Sequence, residues 1–171
     1  MGFINRRSTR RFNEKSDIYN IRAENIRKWM NDESADGFYG SAFNAEEKAK
    51  IAKSTVRNDV ASTKDTENKY VCDDTNDYVF SLSRQELEDE SLRFINADNI
   101  DKARLSLTTD FARAKAATTF NNYGLYWTRS PSQNEWCFWD YDVYNVLADG
   151  YVTFNHCCLN GRCVRPAIKL I

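Results

Sequence analysis

One histidine, His156, and five cysteines, Cys72, Cys137, Cys157, Cys158 and Cys163, are the residues of this chain best suited to hold a soft metal or to attack a substrate. Their spacing argues against both. The cysteine count is odd, no Cys-x-x-Cys occurs, and Cys157 and Cys158 are adjacent, so on a strand they would point to opposite sides. Neither a disulfide framework nor a tetrahedral zinc site follows from that pattern. Free thiols, with no metal and no cofactor, are the expectation. Asp140 and Asp142 are two residues apart, which puts both carboxylates on one face of a strand, and paired carboxylates can do acid–base work. No second catalytic group accompanies them. Ser81 and Ser83 sit at an ordinary strand-to-helix step, where a serine caps a helix rather than attacks a substrate. No catalytic residue is assigned, and the chain reads as a non-enzyme.

The stretch Cys137–Cys163, "CFWDYDVYNVLADGYVTFNHCCLNGRC", carries the histidine and four of the five cysteines. It has no Lys, Glu, Gln or Met, although the rest of the chain is rich in Lys and Glu. Its tyrosines offer large, rigid contact area, and its Asn and Asp residues offer adaptable hydrogen bonds, as in a paratope. The candidate ligand-binding residues are Phe138, Asp140, Tyr141, Asp142, Tyr144, Asn145, Tyr151, Asn155, His156, Cys157, Asn160 and Arg162. The competing reading is structural: strands and turns favour Tyr, Phe, Val, Asn, Asp and Gly in any case. On that reading Phe138 and Phe154 belong to the core. Arg129 and Arg165 are expected to bond carbonyls or carboxylates and fix loop geometry.

The elements that must position this stretch change character along the chain. "NIRAENIRKWMND" puts Ile21, Ile26, Trp29 and Met30 near one helical face. Asn44 is an N-cap, with Glu47 closing a capping box, for a helix through "NAEEKAKIAKSTV" that carries Ile51 and Val56 on its apolar side. Residues 57–77 read as a long polar loop, with a short strand at "KYVC". "YVFSLS" is a buried strand, and Ser83 opens the next helix through Ser-x-x-Glu. Thr109 or Asp110 starts a helix through "TTDFARAKAAT". From Leu125 onward strands dominate: "LYWTRSP" ending at Pro131, a hairpin in "VYNVLADGYVTFN" turning at Asp149-Gly150 with Val152 and Phe154 on one face, and "CVRPAIKLI" with Pro166 at a sheet edge. Helices first and strands last is an α+β pattern.

The chain has 171 residues, 42% hydrophobic and 29% charged, which fits one globular domain spanning 1–171, with 1–18 frayed or a truncated start. A net charge of -1 gives no footprint for a nucleic-acid partner. The basic cluster Arg6–Arg11 reads as a solvated terminus. No apolar run approaches the roughly 20 residues of a membrane span, and "MGFINRRSTRR" has no signal-peptide core.

Several segments occur in order: "ENIRKWMND", "FNAEEKAKI", "NDYVFSLSRQEL", "TTDFARAKA", "YWTRSP", "ADGYVTF" and "VRPAIKL". Together they resemble a family of bacterial and phage domains, of no assigned activity, that carries Trp-x-Arg-Ser-Pro and a terminal Gly-Val-Arg-Pro-Ala. The resemblance covers about Tyr19 to Leu170; Cys163 departs from it where the family has glycine. That family is similar to C-type lectin-fold proteins and their formylglycine-generating-enzyme-like relatives. The resemblance implies helices in the N-terminal half, a small twisted antiparallel sheet in the C-terminal half, and ligand binding from the C-terminal strands. It also implies a protein or glycan ligand, displayed on a virion or cell surface. Some C-type lectin-fold proteins are variable proteins of diversity-generating retroelements, which miscopy template adenines. Codons AAC and AAT then yield Asn, Asp, Tyr, His, Cys and others, but never Lys, Glu, Gln, Met or Trp. Only Trp139 breaks that restriction in Cys137–Cys163. Two alternatives stay open: an oxidase of the formylglycine-generating kind, needing a copper-binding cysteine pair, and a generic cell-surface binding domain. The calcium-lectin signatures Glu-Pro-Asn and Trp-Asn-Asp are absent.

Overall fold

The structure, a computed structural model, describes residues 25–94, 100–133, 142–157, 159 and 161–171. The chain is α+β, with short helices and small sheets threaded among one another. Helix α1 (Asn25–Asn31) buries Ile26 and Met30. Helix α2 (Phe38–Ala42) buries Tyr39. Helix α3 (Ala45–Lys48) starts with the expected capping box, the Asn44 side chain accepting from the Glu47 N–H and Glu47 accepting from the Asn44 N–H.

The helix expected to run on through Val56 stops after one turn. Its remaining residues form strands β1 (Ile51–Ala52) and β2 (Ser54–Val56). Ile51 and Val56 are buried as foreseen, but from strands whose β-branched residues suit a pleated, half-covered surface. Residues 57–77 are not irregular either. Asp59 caps helix α4 (Val60–Thr63), and the strand in this region is β3 (Thr75–Asp77) rather than "KYVC". Strand β4 (Phe80–Ser81) leads into Ser83, which caps helix α5 (Arg84–Leu87) through a full capping box with Glu86. Two 3₁₀ turns follow (Glu90–Leu92 and Lys102–Arg104). Thr109 then caps helix α6 (Asp110–Ala114). Strands thus lie in both halves of the chain, which corrects the helices-first order. Short strands paired over long sequence distances leave too weak a local pattern to reveal themselves.

The C-terminal half supplies β5 (Thr119–Phe120), β6 (Tyr123–Gly124), β7 (Tyr126–Pro131), β8 (Asp142–Val146), β9 (Val152–His156), β10 (Cys163–Val164), β11 (Pro166–Ala167) and β12 (Lys169–Leu170). The largest sheet has the order β10-β7-β8-β9, with β10 parallel to β7 and the other pairs antiparallel. The last segment then laces three sheets: β10 pairs β7, β11 pairs β4 and β12 pairs β1. Pro166 begins β11, in a two-stranded sheet where every strand is an edge, as its missing N–H requires.

Side chains alternate across the four-stranded sheet into two apolar clusters. Trp127, Val143 and Val164 join Ile26, Met30, Tyr39, Ile51, Val79 and Cys157 on one face. Tyr126, Tyr144, Val146, Val152 and Cys163 join Leu87, Phe94 and Ala112 on the other. Covered on both faces, β7 and β8 are buried at every position. The β8–β9 hairpin turns through Leu147–Gly150, with the Gly150 N–H bonded to Leu147 O at 3.0 Å. Gly150 has φ +89, and a Cβ there would lie 2.2 Å from Asp101 O, so the turn needs glycine. Val152 and Phe154 both pack on the second cluster, as their shared face predicts.

Candidate functional site

The two signature arginines are built into the frame. The Arg129 guanidinium forks onto the Glu86 carboxylate, with Nη2 to Oε1 at 3.0 Å and Nη1 to Oε2 at 2.5 Å. Nη1 also donates to Ser81 O at 2.8 Å, and Nε to Arg57 O at 3.2 Å. Glu86 Oε2 in turn accepts from the Ser83 N–H, so one carboxylate caps α5 and anchors β7. Burial alone would raise the Glu86 carboxyl, but the Arg129 bonds outweigh it and hold it below the usual range. Arg165 donates to Ala103 O, Arg104 O and Tyr126 Oη at 3.1–3.3 Å. Both arginines therefore do the carbonyl and carboxylate work expected of them.

A cleft of about 270 Å³ opens above this hub, lined by Arg57, Asp59, Ser62, Gln85, Glu86 and Lys169, with Arg129 below. The segments "SLSRQEL", "YWTRSP" and "VRPAIKL" meet around it. Its carboxylates are already engaged. Asp59 is ion-paired with Arg57, whose hydrogen bond lowers the Asp59 pKa, and Glu86 is committed to Arg129. Neither is poised as a general acid near neutral pH.

Of the sequence-predicted ligand face, four side chains are inside. Asp142 (5% exposed), Tyr144 (8%), Asn145 (0%) and Cys157 (0%) are corrected to interior positions. The reason is that β8 is a central strand with an apolar cluster on each side. Tyr144 Oη donates to Asp65 Oδ1 at 2.9 Å and accepts from Arg84 Nη1, whose Nε bonds Glu88 Oε1 at 2.9 Å. Burial pushes the Tyr144 hydroxyl up to about 12, so it stays neutral and structural. Cys157 packs in the first cluster and Cys163 in the second, where burial pushes its thiol up.

The other described candidates lie at opposite edges of the sheet, Tyr151, Asn155 and His156 on the β9 side and Arg162 beside β10. Tyr151 is 41% exposed at the hairpin end. Asn155 and His156 are half-buried on β9, opposite Val143 and Asp142. Asn155 Nδ2 donates to Asn145 Oδ1 at 2.9 Å. Arg162 is half-buried with its guanidinium 5.1 Å from the Trp127 ring centroid. Phe138, Asp140, Tyr141 and Asn160 lie outside the described residues. Sequence reasoning missed Trp127 as the floor beneath Arg162, and missed Asp65 and Arg84 as the partners of Tyr144. Only the aromatic-polar alternation of β7 and β8 hinted at them.

Among the described residues no group of three or more His, Cys, Asp or Glu could hold a metal ion, and no helix is long and apolar enough to cross a membrane. No curated protein and no solved structure matches the chain. A family model does match, over residues 6–171: the chain belongs to DUF6273, a domain family of unknown function.

Proposed function

We propose that this chain is a non-enzymatic ligand-binding domain of the C-type lectin-like kind. It presents a variable C-terminal surface to a protein or glycan and is diversified by a retroelement. The observation that carries the reading is the burial gradient across the large sheet. Strands β7 and β8 are wholly buried, whereas β9, the outer strand, is half-buried from Thr153 to His156 and begins beside exposed Tyr151. The restricted alphabet of Cys137–Cys163 thus includes an edge where substitution leaves the core intact. Tyr151, Asn155 and His156 on the β9 side and Arg162 beside β10 at the opposite edge are the described candidates. Phe138, Asp140, Tyr141 and Asn160 belong to the same proposal and lie outside the described residues. Display on a virion or cell surface is part of the same proposal.

The oxidase alternative needs two thiols close enough to share copper. The pair that the sequence leaves open is Cys158 with Cys163, and Cys158 lies outside the described residues. Cys163 is buried with its thiol pKa raised, which makes it a poor thiolate donor, and Cys157 lies in the other cluster. That observation favours the binding reading. Sequencing the DNA around this gene tests diversification. A reverse-transcriptase gene and a near-copy of the 3′ coding end, differing at template adenines, are expected nearby. Their absence would overturn diversification.

A further inference from the structure

Arg162 is an anomaly. It is half-buried over the Trp127 indole, yet among the described residues it makes no hydrogen bond and no ion pair, and its Nε is buried without an acceptor. Burial lowers its pKa, and no acidic neighbour among the described residues offsets that. A guanidinium carries five N–H donors, and a buried charge in a folded protein normally has a partner. An aromatic ring attracts the cation but accepts none of those hydrogens in plane. Contrast Arg129, Arg165 and Arg104, each bonded to carbonyl or carboxylate oxygens.

The neighbourhood repeats the shortage of acceptors. Asn145, the cross-strand partner of Trp127, is fully buried, and its Nδ2 has no acceptor among the described residues while its Oδ1 is taken by Asn155. The backbone holding Arg162 is pinned on both sides. Gly161 O accepts the Thr118 N–H at 2.7 Å, and the Cys163 N–H donates to Leu125 O at 2.7 Å. Gly161 adopts φ +81 with Thr118 packed where a Cβ would stand. A fixed guanidinium with spare donors is preorganised for a ligand.

We propose that Arg162, laid on Trp127 at the rim of the four-stranded sheet, binds a carboxylate carried by the ligand. A planar carboxylate matches the guanidinium fork with two parallel hydrogen bonds. The proposal rests on the ligand-binding reading of the Cys137–Cys163 stretch and names the chemistry that Arg162, beside β10 at the edge opposite β9, would read.

The test is a nitrogen-15 NMR titration of the full chain with sodium acetate, sodium glucuronate and sodium phosphate, each against sodium chloride at matched ionic strength. Saturable shifts of the Arg162 Nε–H and Trp127 indole N–H are expected with acetate and glucuronate, with phosphate weaker. Arg162→Gln should weaken both carboxylates roughly tenfold or more. Arg162→Lys, which keeps the charge but loses the fork, should weaken them several-fold. Shifts that merely track sodium chloride, carboxylate binding unchanged in Arg162→Gln, or phosphate binding tighter than either carboxylate would each overturn the proposal. So would loss of the near-ultraviolet circular dichroism of Arg162→Gln, because an arginine without partners should be dispensable to the fold. Failure here leaves the diversification test untouched, and failure of that test leaves carboxylate binding untouched.

Discussion

Two arginines with similar surroundings of aromatic side chains have opposite fates in this molecule. Arg129 lies near the Phe80 ring and is saturated, sharing its hydrogens among Glu86, Ser81 O and Arg57 O. Arg162 lies over the Trp127 ring with no acceptor at all among the described residues. The first belongs to a frame in which polar groups satisfy one another: Arg84 with Asp65, Glu88 and Tyr144, and Arg165 with two carbonyls and Tyr126. The second belongs to an edge where donors are left over. Saturated networks specify a fold, and leftover donors held rigidly at a rim are what recognition requires.

The sharpest way to break the comparison is to truncate both arginines. Arg129→Ala should cost about 3–5 kcal/mol in urea unfolding, because it strands a partly buried carboxylate and two carbonyls. Arg162→Ala should change stability by less than about 0.5 kcal/mol. Equal costs would erase the distinction between frame and edge. A tyrosine pair gives a smaller version. Tyr144→Phe removes the hydroxyl between Asp65 and Arg84 and should cost roughly 1–2 kcal/mol, whereas Tyr151→Phe should be neutral within measurement.

Acid unfolding sharpens the frame itself. The folded Glu86 pKa lies below its ordinary value of about 4.3, so between the two the folded state binds fewer protons than the unfolded chain. The stabilisation is complete above the ordinary value and is lost as pH falls through the folded one. Stability measured from pH 6 to pH 2 should therefore drop along an acid limb, and Glu86→Gln should make that limb shallower. An unchanged slope would mean that Glu86 does not link the frame to pH.

Much of this frame was legible in the sequence, for identifiable reasons. The caps at Asn44, Ser83 and Thr109 were readable because capping is local chemistry between a side chain and a backbone N–H three residues away. Strand β7, the hairpin and the structural roles of Arg129 and Arg165 followed from alternation, a turn glycine and guanidinium geometry. Strands β1, β2 and β3 were hidden because each is two or three residues long and pairs with a distant partner, β1 with β12 and β2 with β3. The site was half legible. Composition singled out a stretch, but Tyr, Asn and Asp serve equally in a recognition face and in a buried polar network. Only the position of β8 between two clusters reveals that Asp142, Tyr144 and Asn145 face inward. That Arg162 finds no acceptor among the described residues has no sequence signature, since a partner's absence is a property of three-dimensional neighbours.

The smallest effects are expected at the edge, and they bear most directly on the central claim. Two libraries would be selected only for resistance to protease: one randomised at Tyr151, Thr153, Asn155, His156 and Arg162, the other at Val143, Tyr144 and Val146. Most edge substitutions should survive, each within about 0.5 kcal/mol of the parent, while the β8 library collapses to a few apolar or near-parental residues. An edge library as narrow as the β8 library would contradict the idea of a stable frame carrying a surface free to vary.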